Sequence, residues 1–325
     1  MPQPILSISN LSKSFAGTKA LDSVQLELQS GEVHALMGEN GAGKSTFMKI
    51  LIGMLKSDSG TIAFEGRTID PVKDHEVLKN SIAMIHQELL VVPDLTVAQN
   101  IFLGREKQFA SSFWLRDGQA NQAAKDLLLQ MGMDIDPTTP IKNLSVSQTQ
   151  MVEIAKAISL NAKVIIMDEP TSAISDKEVT MLFKIITDLK SKGVSIIYIS
   201  HKMDEIFKIA DRITVLRDGK HIASKKASEL THDLLISLMV GREITQLFDD
   251  ESVTVGDVLL SVKNLSRAGA FNNINFSVHA GEVLGLAGLM GAGRSEIVRA
   301  IYGLDQADAG EILLRNEVFK NPSPK

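Results

Sequence analysis

Cysteine is absent from the 325 residues. That excludes disulfides, thiolate metal sites and a cysteine nucleophile, and it fits a reducing compartment. A basic surplus is missing too. The 34 Lys and Arg set against 39 Asp and Glu give a net charge of −5, which argues against bulk nucleic acid as a partner. No apolar run approaches the ~18 residues of a membrane-spanning helix. The N-terminal MPQPILSISN lacks the basic flank and long apolar stretch of a secretory signal, so the expectation is a cytoplasmic chain. What is present, 44% hydrophobic and 22% charged residues, is the balance of a globular protein rather than a disordered one. The length suggests about two domains at roughly 150 residues each.

The chain repeats itself. GEVHALMGENGAGKS from Gly31 returns as GEVLGLAGLMGAGRS from Gly281, at an offset of 250 that holds through Gly53/Gly303, Asp58/Asp308 and Gly60/Gly310. Of the 32 positions from 31 to 62, 13 are identical to their counterparts. Upstream, Asn10-Leu11-Ser12 matches Asn264-Leu265-Ser266 at an offset of 254, so the second copy is four residues shorter there. A unit this long is a duplicated domain, not a solenoid repeat. The expected layout is a first copy over 1–245, a polar, acidic linker over 246–257, and the opening of a second copy over 258–325.

Within the first copy, VQLEL (Val24 to Leu28) alternates apolar and polar as a half-exposed strand does. VHALM, VIIMD and VSIIYIS are compact apolar runs of the kind found in buried parallel strands. VLGLA in the second copy, the counterpart of VHALM, reads as an apolar strand left without its sheet neighbours. Helical stretches lie between, such as KEVTMLFKIITDLKSKG with its glycine stop at Gly193. The alternation implies an α/β fold with a parallel sheet. The stretch from about 88 to 160 has little strand character and reads as a helical insertion.

Gly38-Glu39-Asn40-Gly41-Ala42-Gly43-Lys44-Ser45 is G-x-x-x-x-G-K-S, set between a strand-like run and the helical TFMKILIGML that opens at Thr46. This is the context of a P-loop. Glycines let backbone N–H groups wrap phosphates, and the following helix start adds partial positive charge. Lys44 would reach the β and γ phosphates, and Ser45 would offer a hydroxyl to Mg²⁺. Val164-Ile-Ile-Met-Asp168-Glu169-Pro170 is an apolar strand ending in two carboxylates. Asp168 is placed to hold the Mg²⁺ shell, and Glu169 to orient or deprotonate an attacking water.

With these motifs in place, the whole chain resembles the ATP-binding cassette (ABC) family, as one full cassette and the start of another. The resemblance implies a P-loop NTPase fold with a parallel-sheet core, an antiparallel β subdomain and a helical subdomain at about 88–160. It also implies roles for further residues. Phe15 in LSKSFAG would stack on adenine. Gln87 in MIHQEL would contact metal and water. Leu144-Ser145-Val146-Ser147-Gln148 would be the signature sequence, with Ser145 and Gln148 at a helix start facing the γ-phosphate of an opposing cassette. His201 in YISHKMDEI would be the switch histidine. Catalysis is thus expected from Glu169, His201 and Gln87. ATP would be held by Phe15, Ser145, Gln148 and the 38–46 loop, and Mg²⁺ by Ser45, Gln87 and Asp168.

Several positions depart from the family pattern. Val146 and Ser147 stand where the signature has two glycines, and Ser175 stands where the D-loop has aspartate. Arg294 replaces the lysine in the second glycine-rich loop, which is not a conservative change at a tight phosphate site. Glu296 replaces the counterpart of Thr46 and would compete with a phosphate at the helix start. An intact first P-loop, LSVSQ and a GAGR-type second loop together resemble the double-cassette ATPases of ribose, galactose, xylose and autoinducer-2 importers. That implies ATP hydrolysis coupled to sugar uptake and a peripheral place on the inner face of the cell membrane. The implied partners are a transmembrane permease, a periplasmic or extracellular sugar-binding protein, and a second cassette or a homodimer, with no nucleic acid. The second copy is expected to lack its own catalytic set, since the sequence ends about 68 residues into it. This keeps open a module that binds ATP but turns it over poorly. An ABC protein of translation or repair is the third reading.

Overall fold

A computed structural model describes residues 3–74, 78, 81–111, 114–115, 117–241, 255–288 and 291–319. Residues 246–254 of the expected linker, and Leu289 and Met290 of the second glycine-rich loop, lie outside them. The chain divides into two compact units, Met1–Thr245 and Gln246–Lys325.

In the first unit, β3 (Val33–Met37), β6 (Ile82–Ile85), β9 (Val164–Asp168), β10 (Ser195–Ile199) and β11 (Arg212–Arg217) are parallel neighbours in the order β11-β3-β10-β9-β6. Their apolar runs are continuous because both faces are covered. Val33, Ala35 and Met37, with Ile165, Met167, Ile196 and Tyr198, face one core. The alternate residues Leu36, Val164, Ile166, Ile197 and Ile199 face the other. Fixing a residue's backbone costs about 1–2 kcal/mol, and burying a Val or Ile fully gains roughly 1.5–3 kcal/mol. Covering both faces lets nearly every residue of these strands contribute that gain.

The sheet continues through β12 (Lys220–Lys226) into the antiparallel strands β2 (Thr18–Leu28), β1 (Leu6–Phe15), β4 (Ser59–Phe64) and β5 (Arg67–Ile69). The alternation in VQLEL appears in β2 as Val24, Leu26 and Leu28 buried, with Gln25 and Glu27 exposed. Helix α1 (Lys44–Leu51) buries Phe47, Met48, Ile50 and Leu51 into the second core.

Helices α2 (Val97–Ile101), α3 (Asp117–Gln130) and α4 (Val146–Ile158) occupy the stretch between β6 and β9, with a short hairpin of β7 (Ala110–Ser111) and β8 (Trp114–Leu115). Thr96 and Ser145 start α2 and α4 with reciprocal capping boxes through Gln99 and Gln148. Beyond β9 come α5 (Asp176–Ser191), α6 (Met203–Ile209) and α7 (His232–Val240). Helix α5 is capped by Ser175 and, as its sequence indicates, stops before Gly193. No described helix is long and apolar enough to cross a membrane.

In the second unit, β13 (Val258–Arg267), β14 (Phe271–His279), β15 (Ala309–Leu314) and β16 (Glu317–Val318) form an antiparallel sheet. With α8 (Arg294–Tyr302), they enclose a small core of Val262, Leu265, Ala300 and Ile312. The duplication is visible in the geometry. A Cβ on Gly43 would meet the Ala20 carbonyl oxygen at 2.6 Å, and one on Gly293 would meet that of Ala270 at 2.7 Å. Asp58 accepts the Ser14 amide, and Asp308 accepts the Ala268 amide. One expectation fails: VLGLA forms no strand, and Val283 is 97% exposed. Its counterpart VHALM is sandwiched between β10 and β11, and no described strand pairs with 283–287.

Candidate functional site

The site grows from the end of β3. The chain leaves the sheet at Met37, turns through Gly38–Gly43 and enters α1 at Lys44. Gly43 is the N-cap, with φ +98° and no side-chain cap, so the helix's first backbone donors have no capping side chain. A Cβ on Gly38 would run into the Leu216 carbonyl oxygen. Glycine is therefore required at Gly38 by close approach of β11, and at Gly43 by conformation and by the nearby strand β2. Lys44 Nζ folds back on the loop, donating to the carbonyls of Gly38 at 2.7 Å and Glu39 at 3.0 Å. Burial lowers the Lys44 pKa from the ordinary lysine value, opposed by the charges of Glu169 and Asp168.

The carboxylates come from the end of β9. Asp168 is its last residue, opposite Ile199 at the end of β10. Burial raises the Asp168 pKa, the Glu169 charge raises it further, and Lys44 opposes the rise. Glu169 has φ +46°, the left-handed region that costs a non-glycine residue of order 1–3 kcal/mol. Its amide is held by the Ile199 carbonyl at 2.9 Å. One oxygen of its carboxylate accepts from His201 Nδ1 at 3.0 Å, and the other from Gln87 Nε2 at 3.3 Å. Two residues from two other segments therefore meet on the Glu169 carboxylate.

An open cleft of ≈980 Å³ collects these groups, at the upper end of the ~300–1,000 Å³ usual for ligand pockets. Its walls are Ala20, Glu39, Asn40, Gly41, Gly43, Lys44, Ser45, Thr46, Gln87, Asp168, Glu169 and His201. Most of the residues singled out from sequence are thus brought together. Gly38 and Ala42 support the loop from beneath, with Ala42 buried. Phe15 is not on the wall; it ends β1, 45% exposed as a residue, with Lys13 Nζ 5.5 Å from its ring centroid. Ser145 and Gln148 lie elsewhere, at the start of α4, and cap each other there. Pattern reading missed Ala20 and a buried cluster behind the cleft formed by Thr171, Tyr198, Ser200 and Glu205. The available signal was Glu205 itself, a carboxylate one helical turn past His201.

The family model for the ABC transporter matches residues 21–172 and 271–325, well over half of the chain. The chain belongs to the ABC transporter family. Two solved ATP-binding cassettes of ABC transporters share the fold. One, nucleotide-free, has 25% identity and a TM-score of 0.64 over 76% of this chain and 100% of its own. The other, in its ADP conformation, has 27% identity and a TM-score of 0.65 over 75% of this chain and 100% of its own. Among curated ABC relatives, a galactose/methyl galactoside import ATP-binding protein of Clostridium tetani is 49% identical over 325 residues, 98% of this chain and 64% of the relative. A ribose import ATP-binding protein of Halalkalibacterium halodurans is 46% identical over 320 residues, 98% of this chain and 64% of the relative. A second protein of that organism is 50% identical over 321 residues, and this cassette chain spans 62% of its length.

Proposed function

We propose that the chain binds ATP with Mg²⁺ in the cleft and hydrolyses it to drive carbohydrate import through a membrane permease. The observation that carries this is the convergence of Lys44, Gln87, Asp168, Glu169 and His201 on one open cleft at the head of α1. Phosphates would take the place of the Gly38 and Glu39 carbonyls as partners of Lys44 and would meet the first amides of α1. Phe15 offers an exposed ring for the adenine at the end of β1. Ser145 and Gln148 would serve the nucleotide of an opposing cassette.

The donor chemistry suits Mg²⁺. Among the described residues no three His, Asp or Glu side chains converge as a metal cage, and Mg²⁺ characteristically binds one or two carboxylates plus substrate phosphates. The Ser45 hydroxyl and the Asp168 carboxylate would hold it, with the Gln87 Oε1 that remains once Nε2 is committed to Glu169. When bound, the ion neutralises charge on the β and γ phosphates. Glu169 would accept the proton of the attacking water, and His201 would orient that carboxylate and contact the γ-phosphate.

Residues 1–245 are read as the first cassette, with a helical subdomain at about 88–160. Residues 246–257 are read as a linker and 258–325 as part of a second cassette. The partners would be permease subunits, a sugar-binding protein and a second cassette or a homodimer, with the chain peripheral on the inner face of the membrane. One observation favours weak turnover by this chain alone. Two of the donors at the start of α4, the Ser145 and Gln148 amides, are occupied by their capping box, and Val146, 62% exposed, stands where the signature has glycine. Titration with a fluorescent ATP analogue and Mg²⁺ tests binding, and ATPase rate against protein concentration tests turnover. Association with membranes only when the permease is present tests the transport role. Absence of saturable binding would sink the proposal.

A further inference from the structure

The cluster behind the cleft ties together the two loops on which the site depends. Glu205, on the first turn of α6, is 7% exposed. Its Oε2 accepts from Thr171 Oγ1 at 2.8 Å, Tyr198 Oη at 3.0 Å and Ser200 Oγ at 3.3 Å. Its Oε1 pairs with Lys202 Nζ at 3.2 Å, which also donates to the Thr171 carbonyl at 3.2 Å. Ser200 in turn accepts the Lys202 amide at 3.0 Å. Thr171 lies two residues past Glu169, and Ser200 and Lys202 flank His201. The His201 side chain, by contrast, is 70% exposed, and among the described residues its ring hydrogen-bonds to Glu169.

A buried carboxylate is costly unless several donors satisfy it. An apolar residue would pack this turn of α6 without needing them. Here three hydroxyls and an ammonium converge, and three of those four groups belong to the Glu169 and His201 loops. We propose that Glu205 is a positioning residue: it clamps the Glu169 and His201 loops at the separation where their side chains bond, without touching the nucleotide. This rests on the reading of Glu169 and His201 as hydrolytic residues. Glu205 is not on the cleft wall, so its loss should act through His201 and leave the phosphate loop unchanged.

The test compares Glu205→Ala, Glu205→Gln and Thr171→Val in the 325-residue chain. The ¹⁵N imidazole spectrum gives a readout independent of activity, with the His201 signals assigned by their loss in His201→Ala. Glu205→Ala is expected to move the His201 nitrogens from the Nδ1–H tautomer bonded to Glu169 towards the free-imidazole mixture. Turnover should fall at least ~10-fold while KM stays within about threefold, the split of a group acting after binding. Glu205→Gln keeps an oxygen for the three hydroxyls but gives up the Lys202 pair, so its shift should be smaller than that of Glu205→Ala. Thr171→Val cuts one tie isosterically and should give an intermediate shift. A folded Glu205→Ala protein, judged by thermal unfolding, with unchanged His201 signals overturns the proposal. If that variant does not fold, unchanged signals in Thr171→Val overturn it instead. A wild-type chain that binds no ATP would refute the hydrolytic reading and leave the imidazole result standing, so the two failures are distinct.

Discussion

Gly43→Ala probes the phosphate loop with a cost that can be worked from two separate strains. The first is conformational: at φ +98° a residue with a Cβ loses about 1–2 kcal/mol. The second is steric. The new Cβ would sit 2.6 Å from the Ala20 carbonyl oxygen and 2.7 Å from Leu21 Cδ2. Ala20 belongs to β2 and is held by the sheet, so the loop must move instead, adding about 1–3 kcal/mol. Gly41→Ala is the control. Gly41 has φ +84° but nothing within 4 Å of a Cβ, so only the first strain applies, about 1–2 kcal/mol. The cost lowers the unfolding temperature if the empty loop keeps its shape, or lowers nucleotide affinity if the loop relaxes until ligand binds. Thermal unfolding and titration with a fluorescent ATP analogue, done together, capture both. The two variants should differ by about 1–3 kcal/mol in the summed effect, which is roughly 5- to 150-fold in Kd if all of it falls on binding. Equal effects of the two substitutions, or a Gly43→Ala protein with wild-type stability and affinity, would refute the close-approach argument.

Lys44→Ala removes the cation now held on the Gly38 and Glu39 carbonyls, and ATP-analogue affinity should fall at least ~10-fold, or about 1.4 kcal/mol; unchanged affinity would mean that the loop holds no phosphate. Glu169→Gln keeps the shape and the His201 contact but cannot take a proton, so binding should persist while turnover falls ~10²-fold or more; hydrolysis at the parent rate would move the catalytic carboxylate elsewhere. In the second unit, hydrogen bonds and charge from Arg299 and Arg267 hold the Asp305 pKa down at about 2, below its ordinary 3.8. The stabilisation is therefore complete above the ordinary carboxylate range and is lost as pH falls towards about 2. Thermal unfolding of wild type and Asp305→Asn should show a gap near neutrality that closes on acidification; a gap independent of pH would remove the ion pair from the explanation.

Much of the site was legible because its chemistry is written in short contiguous runs. G-x-x-x-x-G-K-S after an apolar run marks the glycine-rich loop on the cleft wall, and an apolar strand followed by carboxylates marks Asp168 and Glu169. The glycine stop at Gly193 ends the helix that the sequence places before it. What lies across the chain was not legible. The meeting of Gln87 and His201 on one Glu169 carboxylate depends on β6, β9 and β10 lying side by side. The burial of Glu205 among Thr171, Tyr198 and Ser200 depends on where α6 docks. The left-handed backbone at Glu169 has no signal in a residue type that ordinarily avoids it.

The two copies of one sentence of sequence show where local information stops. GEVHALMGENGAGKS and GEVLGLAGLMGAGRS both specify a left-handed glycine cap and a helix, and both form them, at Gly43 and Gly293, because these features need only nearby residues. The apolar run before the cap behaves differently. VHALM becomes β3, buried at every position, with Val33 opposite Ile196 and His34 opposite Arg212, partners more than 160 residues away. VLGLA has the same apolar character and no described strand beside it, and Val283 stands exposed. A parallel strand's backbone hydrogen bonds and both of its apolar faces are completed by distant segments. Sequence therefore determined the loop, the caps and the chemistry, and only the tertiary neighbours decided which apolar run became a strand.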